Sequence, residues 1–309
     1  VIPCYRSART IEGVVDEIRE TMEQIPKYVY DIVLVNDCSP DNTFEVIQQL
    51  CNQYDNITGI DFAKNFGQHA ALMAGLRDAD GDIVVCLDDD GQTPANEVGK
   101  LLEQIENGYD VVYAEYENKQ HSAFRNFGSR INKFMTEYML DKPKDLYISS
   151  YFAARRFIVD NMLEYEHSYP YVIGLVLRAT KNITNVPVKH RARLEGESGY
   201  SFKKLLALWF NGFTAFSVKP LRLASCTGCL LAALGFAYAL YLIIRKLLHP
   251  QAILLGWSST ISLLLIIGGI ILLVLGIIGE YIGRIYICIN RAPQYVIRDI
   301  IGDKEQSHE

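Results

Sequence analysis

Short apolar runs and longer amphipathic segments alternate along the first 115 residues of the chain. The apolar runs have the length of strands and predict β-strands over residues 1–3, 31–35, 57–62, 83–87 and 111–114. The segments between them have helical periodicity and predict helices over residues 10–24, 43–54, 67–79 and 94–107. This alternation, with strands buried on both faces, predicts an α/β domain built on a largely parallel sheet.

Two long apolar stretches without a charged residue lie in the last third of the chain, at residues 223–244 and 250–279. The first holds 22 residues and the second 30, whereas about 20 residues of helix cross the hydrocarbon core of a bilayer. One such stretch alone is also compatible with the core helix of a soluble protein. Two in series favour two transmembrane helices, the second of which is long enough to tilt.

Basic residues flank the two apolar stretches unevenly. Lys and Arg are more numerous before the first stretch and after the second than between them, where the chain has Arg245 and Lys246. Cytosolic flanks of transmembrane helices are enriched in Lys and Arg, so we expect both termini in the cytosol. Residues 201–222 mix basic and apolar side chains and predict a helix along the inner interface.

These patterns divide the chain into four predicted parts. Residues 1–200 form a cytosolic α/β domain, residues 201–222 an interfacial region, residues 223–284 two transmembrane helices and residues 285–309 a cytosolic tail. The chain begins on a predicted strand, so we expect no signal peptide. Val1 in place of Met indicates that a few residues precede it.

The distribution of charge supports this division. The formal charge is −11 over residues 1–200 and +5 over residues 201–309, which together give the −6 of the whole chain. An acidic domain joined to a basic, apolar part favours a membrane partner, and no Lys- and Arg-rich run with interleaved aromatics suggests nucleic acid. The seven cysteines fit free thiols in a reducing cytosol.

Polar residues directly follow three of the predicted strands. Tyr5 follows the first strand, Asn36 and Asp37 the second, and Asp88 to Asp90 the fourth. Ligands of open α/β sheets bind at the carboxyl ends of the strands, so we expect these residues at one site. The first strand–helix turn has no glycine and the chain has no G-x-x-x-x-G-K-[ST] string, which argues against dinucleotide-binding and P-loop proteins.

The acidic triplet is the strongest candidate for chemistry. Alternation along an extended segment predicts Asp88 and Asp90 on one face and Asp89 on the other. Two carboxylates on one side can hold Mg²⁺ or Mn²⁺, with phosphate oxygens and water in the remaining positions. A solvated acidic turn is the alternative, and Asp37 and Gln92 nearby favour the functional interpretation.

Three strings of residues then carry a resemblance to a known family. They read VIPCY at residues 1–5, VNDCSPD at residues 35–41 and LDDDGQTP at residues 87–94. In this order they resemble the successive motifs of family 2 glycosyltransferases, which have the GT-A fold. The resemblance therefore implies a GT-A, Rossmann-like catalytic domain ahead of the membrane segments.

Three further strings narrow the resemblance to polyprenyl-phosphate glycosyltransferases. They are NFGQHAALMAGL at residues 65–76, GESGYSF at residues 196–202 and GEYIGRIY at residues 279–286. This group includes dolichyl-phosphate mannose synthase and the bacterial undecaprenyl-phosphate sugar transferases. The likeness is greatest to the undecaprenyl-phosphate 4-deoxy-4-formamido-arabinose branch and covers almost the whole chain.

The resemblance implies roles for individual residues. The nucleotide-binding positions of the family match Pro3, Tyr5, Asp37 and Asp88. Its metal ligands match Asp88 and Asp90, with Mg²⁺ or Mn²⁺ as the cofactor.

Other positions of the family match residues expected at the reacting groups and the acceptor. The implied catalytic residues are Asp90, Gln92, Arg125 and Arg193. The implied contacts to phosphate or acceptor are Arg125, Ser129, Ser198 and Tyr200. For both arginines a solvated surface charge is the alternative, and His69 and His190 are interpreted as structural.

The chain departs from the family pattern at three places. Asn36 replaces an acidic residue, Gly199 replaces a basic one, and residues 145–154 lack the usual glycine and arginine. The last two departures affect expected contacts to the acceptor or the sugar. We interpret them first as changed sugar specificity, with lost activity as the alternative, and we interpret the departure at Asn36 as altered base recognition.

The implied function is inverting transfer of a sugar from a nucleotide-sugar to undecaprenyl phosphate. The donor is UDP-linked by analogy, the enzyme is a multi-pass protein of the plasma (inner) membrane, and related membrane enzymes often form homo-oligomers. One alternative is a processive polysaccharide synthase, although neither Trp209 nor Trp257 lies in a Q-x-x-R-W motif. The other is a non-catalytic scaffold, against which the intact Asp88, Asp90 and Gln92 argue.

Overall fold

The computed structural model describes residues 1–116, 142–143, 145–189, 257–290 and 292–302, and separate positions between 228 and 248. The chain divides into two compact units, one of residues 1–208 with 291–309 and one of residues 209–290.

The first unit contains eight described strands, numbered in chain order: Ile2–Cys4 (β1), Ile32–Asn36 (β2), Ile57–Phe62 (β3), Ile83–Cys86 (β4), Val111–Tyr116 (β5), Phe152–Arg155 (β6), Ile183–Val188 (β7) and Ile297–Ile301 (β8). Its described helices are Ile11–Glu23 (α1), Thr43–Gln53 (α2), Gln68–Asp78 (α3), Val98–Glu106 (α4), Arg156–Leu163 (α5) and Val172–Ala179 (α6). A short 3₁₀ turn, Ala95–Glu97, precedes α4. The five strands and four helices predicted in the first 115 residues therefore form, with ends shifted by a few residues.

The strands lie in two sheets, ordered β1-β2-β3-β8 and β4-β6-β5-β7. Val1 joins them, because its N-terminal amine donates to the carbonyl of Val85 at 2.8 Å and its carbonyl accepts from the N–H of Leu87 at 3.3 Å. This is the bonding pattern of neighbouring parallel strands. The strand order across the join is thus β8-β3-β2-β1-β4-β6-β5-β7.

The prediction of a largely parallel sheet needs correction, because the sheets are mixed. β1, β2 and β3 are parallel, and so are β5 and β7. However, β6 runs antiparallel to both β4 and β5, and β8 runs antiparallel to β3 at the edge. Alternation along the sequence identifies strands but does not set the direction of those reached by long connections.

Close packing of helices on the sheet explains the apolar residues of β2 and the glycine at position 75 of α3. Every residue of β2 is buried, as expected for a central strand covered on both faces. On α3, a β-carbon added at Gly75 would lie 2.4 Å from Cγ1 of Val1, so glycine permits this approach of helix to strand. The approach fixes α3, and with it the loop before the helix, against β1.

The second unit contains a described helix of 33 residues, Trp257–Ile289 (α7). Within the described residues, one segment of it, Ile267–Ile289, is long and apolar enough to cross a membrane, with a mean hydropathy of 2.0. The helix continues ten residues past the predicted end at residue 279. In the first predicted span, residues 223–244, the positions that the structure describes are helical.

Candidate functional site

The loops that follow β1, β2 and β4 meet at one edge, because β1 lies between the other two strands. The N–H of Asp37 donates to the carbonyl oxygen of Cys4 at 3.0 Å, which ties the end of β2 to β1. The N–H of Tyr5 donates to Oδ2 of Asp89 at 3.1 Å, which ties β1 to the loop after β4. The fold thus brings together residues that follow three separate strands.

Asp88 is the half-buried first carboxylate of the triplet. Gln68, the first residue of α3, donates from Nε2 to its Oδ1 at 2.9 Å, and the hydroxyl of Ser150 donates to its Oδ2. Burial raises the pKa of Asp88 to about 6; the charges of Asp90 and Asp89 also raise it, whereas the two hydrogen bonds lower it. Both oxygens are therefore held by neutral donors from two different loops.

Asp89 and Asp90 lie in a bend, since β4 ends at Cys86 and Gly91 has a φ of +69°. Oδ2 of Asp89 accepts the N–H of Tyr5 and the hydroxyl of Ser7, and burial raises the pKa of Asp89. Asp88 and Asp89 thus have different partners. The extended backbone assumed in predicting Asp88 and Asp90 on one face ends before them, so that placement stays a prediction. Oδ1 of Asp90 accepts the N–H of Gln92 at 3.0 Å, which closes the bend.

The donor set at this edge fits a divalent cation bound together with a diphosphate. The bend concentrates three carboxylates, and burial raises the pKa of Asp88 and of Asp89. The residues that the structure describes contain no group of three or more His, Cys, Asp or Glu arranged around a metal position. Mg²⁺ is commonly held by one or two carboxylates with phosphate oxygens and water, and a pair such as Asp88 and Asp90 is compatible with that mode of binding.

Asp37, predicted to contact the nucleotide, organises a loop in this structure. It is buried, and its carboxylate accepts the backbone N–H groups of Phe66 at 2.7 Å and Gly67 at 2.8 Å. Burial raises the pKa of Asp37, and these two hydrogen bonds oppose the change. Gly67 precedes Gln68, so Asp37 holds the loop from which Gln68 reaches Asp88.

Asn36, the departure at the end of β2, faces the neighbouring strand. Its Nδ2 donates to Oδ1 of buried Asp61 at 2.7 Å, and Nη1 of Arg298 on β8 lies 3.3 Å from Oδ2 of the same carboxylate. The expected effect of Asn36 on base recognition stays a prediction, but its amide has a structural partner that the sequence analysis did not identify.

Tyr5 and Pro3 differ in access. Tyr5 is 47% exposed, and the guanidinium carbon of Arg6 lies 5.5 Å from the centre of its ring. Pro3 is buried within β1, paired in register with Val35. The Tyr5 ring is therefore accessible from solvent, whereas Pro3 lies inside the strand that ends before it.

His69 lies on α3 beside Gln68, with its ring 5.2 Å from that of Tyr171 in an edge-to-face arrangement. Burial lowers the pKa of His69 to about 4, so the imidazole is neutral near pH 7. The interpretation of His69 as structural stays a prediction.

Several predicted residues lie outside the part of the chain that the structure describes: Arg125, Ser129, His190, Arg193, Ser198 and Tyr200. Their roles stay predictions. Conversely, sequence reasoning missed Ser7, Gln68 and Ser150 as partners of the acidic triplet. Gln68 lies in one of the strings that carry the resemblance, and Ser150 lies in the divergent segment 145–154, so position in the sequence offered a signal for both.

Comparison with known proteins identifies the family of the chain. The model of Glycosyl transferase family 2 matches residues 1–163, and the model of the GtrB C-terminal hairpin matches residues 219–285. An undecaprenyl-phosphate 4-deoxy-4-formamido-L-arabinose transferase of Proteus mirabilis is 33% identical over 99% of this chain and 94% of its own length. YkcC of Bacillus subtilis, described as an uncharacterized glycosyltransferase, is also 33% identical, over 98% of this chain and 93% of its own length.

A solved structure gives the same answer for the fold alone. The glucosyl-3-phosphoglycerate synthase of Mycobacterium tuberculosis superposes with a TM-score of 0.50 at 18% identity, covering 68% of this chain and 75% of that one. The predicted GT-A type of fold is therefore confirmed for the first unit. Taken with the match over residues 1–163, these similarities show that the chain belongs to glycosyl transferase family 2.

Proposed function

We propose that the chain transfers a sugar from a nucleotide-sugar, a UDP-sugar, to undecaprenyl phosphate at the cytosolic face of the plasma (inner) membrane, with inversion at the anomeric carbon. The relative from Proteus mirabilis, similar over almost its whole length, is named for transfer to undecaprenyl phosphate. That likeness supports the acceptor, whereas the UDP donor rests on the analogy with the family that the motifs resemble.

One structural observation carries the proposal. The acidic bend with Asp88, Asp89 and Asp90 is bonded directly to the loop that carries the exposed Tyr5 ring. An aromatic face and a carboxylate cluster side by side suit the two ends of a nucleoside diphosphate, its base and its metal-bound phosphates.

The chain's own residues would act by alignment and by balancing charge. The acceptor is a lipid phosphate, which is already anionic near neutral pH and needs little help from a general base. Arg125 and Arg193 would bind the phosphate groups and offset repulsion between acceptor and donor. Gln68 and Ser150 hold Asp88 in place from two sides.

A divalent cation would be held by Asp88 and Asp90. When bound, it would supply positive charge to stabilise the departing nucleoside diphosphate.

The path of the chain supports an even number of membrane crossings. β8, which follows α7, pairs with β3 near the start of the chain, so both flanks of residues 209–290 belong to one unit. If α7 crosses the bilayer once, the chain needs one further crossing to return to the same side, for which we propose the apolar stretch at residues 223–244. The match of residues 219–285 to a C-terminal hairpin supports this two-span arrangement.

The test is transfer of labelled sugar to undecaprenyl phosphate by the detergent-solubilised full chain, with a panel of UDP- and GDP-sugars and Mg²⁺ or Mn²⁺. Asp90→Asn should lower turnover by about 100-fold or more, because preorganised charge at the reacting phosphate is lost. Asp160→Asn, at an exposed carboxylate on α5, is the matched control and should retain activity. Undiminished turnover in Asp90→Asn contradicts the proposal.

Two further readouts of this assay separate the alternatives. Products that carry many sugars would indicate a processive synthase. Absence of nucleotide release with every donor and undecaprenyl phosphate would indicate a scaffold.

A further inference from the structure

The turn after β1 is bonded to the acidic bend through the middle aspartate of the triplet. The N–H of Tyr5 donates to Oδ2 of Asp89 at 3.1 Å and to the hydroxyl oxygen of Ser7 at 2.9 Å, and the Ser7 hydroxyl donates to the same Oδ2. Ser7 is buried. One oxygen of Asp89 therefore closes a small ring of hydrogen bonds around the backbone between Tyr5 and Ser7.

The same turn is held from its other side by the loop after β2. The N–H of Arg6 donates to the hydroxyl of Ser39 at 3.1 Å, and the N–H of Ser7 donates to the hydroxyl of Thr43 at 2.9 Å. With the bonds of Tyr5, three consecutive backbone N–H groups donate to side chains of the protein. These N–H groups are occupied, and the turn exposes Tyr5 and Arg6 while Ser7 is buried against Asp89.

The turn also contains a strained residue. Arg6 has a φ of +60°, in the left-handed region that large side chains rarely adopt. Such a conformation persists where surrounding contacts impose it. Asp89 on one side, and Ser39 and Thr43 on the other, are the contacts that impose it here.

We propose that Asp89 is a positioning residue for the nucleotide rather than a ligand of the metal. Its carboxylate holds the strained turn of Tyr5 to Ser7, and this keeps the exposed Tyr5 ring in place for the base. Asp88, which is bonded to Gln68 and Ser150 instead, remains the residue that meets the metal and the diphosphate. The inference rests on the proposed function, because the nucleotide role of Tyr5 belongs to that proposal.

The test compares Asp89→Ala with Asp88→Ala in the detergent-solubilised full chain by three measurements. Hydrogen exchange at the amides of Tyr5, Arg6 and Ser7 needs no ligand. Calorimetry measures the affinity for UDP, and electron paramagnetic resonance measures Mn²⁺ binding in the presence of UDP.

We expect Asp89→Ala to accelerate exchange in the turn and to weaken UDP about tenfold, as loss of hydrogen bonds to a charged group implies. The affinity of Asp89→Ala for Mn²⁺ should stay within about twofold of the wild-type value, because the metal ligands Asp88 and Asp90 are unchanged. Asp88→Ala should lose Mn²⁺ binding while exchange in the turn is unaltered. Asp89→Asn, which keeps the shape and one acceptor oxygen, should lie between wild type and Asp89→Ala.

A rescue experiment separates positioning from a merely structural role. Glycine adopts positive φ without strain, so adding Arg6→Gly to Asp89→Ala should restore part of the lost UDP affinity. The Tyr5 amide, which has lost its carboxylate acceptor, should still exchange faster than in the wild type. The double variant that carries Asp89→Ala and Arg6→Gly is compared with Arg6→Gly alone, which measures how much the arginine side chain itself contributes to UDP affinity.

Two results would overturn the inference. One is loss of Mn²⁺ binding in Asp89→Ala with the turn still protected, and the other is unchanged exchange and UDP affinity. A wild-type chain that binds neither UDP nor Mn²⁺ contradicts the proposed function instead, and the exchange data still decide the role of Asp89.

Discussion

Asn36 gives the sharpest test of the interactions at the end of β2. Its amide donates to Oδ1 of Asp61 at 2.7 Å, and the two side chains are 2% and 3% exposed. Asn36→Asp replaces this donor with a second carboxyl group at the same place. Two carboxylates about 3 Å apart cannot both ionise, so we expect the pKa of the introduced carboxyl to rise well above its usual range.

The destabilisation by Asn36→Asp can be estimated from the free energy needed to keep one of the two carboxyl groups protonated. Holding a proton on an aspartate with an ordinary pKa near 3.9 costs about 4 kcal/mol at pH 7 and about 1.5 kcal/mol at pH 5. Arg298, 3.3 Å from the other oxygen of Asp61, offsets part of this cost. We therefore expect a loss of roughly 2–4 kcal/mol at pH 7, or a fall in Tm of about 10 °C.

The pH dependence identifies the cause. A carboxyl group whose pKa is raised in the folded state loses stability as pH rises through that pKa and regains it below the unfolded value. The fall in Tm should therefore be about half as large at pH 5 as at pH 7. Asn36→Ala removes the amide without adding charge, and its effect should be similar at both pH values.

The assay is thermal unfolding of the detergent-solubilised full chain at pH 5 and pH 7. Equal destabilisation of Asn36→Asp at the two pH values, or none at either, would refute the explanation.

Two more predictions follow from neighbouring contacts. Arg298→Ala should lower the free energy of unfolding by about 1–2 kcal/mol, because its partner Asp61 is buried although Arg298 is largely exposed. Lys27→Ala breaks a pair with Glu106 in which both side chains are exposed, and it should lower the free energy of unfolding by less than about 0.5 kcal/mol. Equal effects of the two variants would contradict this explanation. Because the pKa of Asp88 is raised to about 6, kcat/KM for the donor should fall as pH drops below about 6. Ser150→Ala removes a hydrogen bond that lowers this pKa, so the inflection should move to higher pH; an unchanged or lower inflection would contradict the assignment.

Local pattern was sufficient to predict the strands and helices of the first 115 residues. An uninterrupted apolar run predicts a strand buried on both faces, such as β2, and apolar residues at helical spacing predict a helix such as α1; both patterns lie within a few neighbouring residues. The edge at which Tyr5, Asp37 and Asp88 gather follows from the same alternation, because ligand sites form at the carboxyl ends of parallel strands. Their hydrogen-bond partners did not follow, since Ser150 reaches Asp88 across 62 positions of sequence.

The edge strand β8 shows why hydrogen-bond partners that are distant in sequence could not be predicted from local patterns. It has five residues, follows the apolar helix α7, and pairs with β3 across more than 230 positions, a relation that no local pattern encodes. It brings Arg298 to the buried carboxylate of Asp61, whose other oxygen accepts from Asn36. A single cation can balance one buried carboxylate but not two. The amide at position 36 therefore suits this pairing of strands, and its predicted effect on base recognition stays a separate prediction.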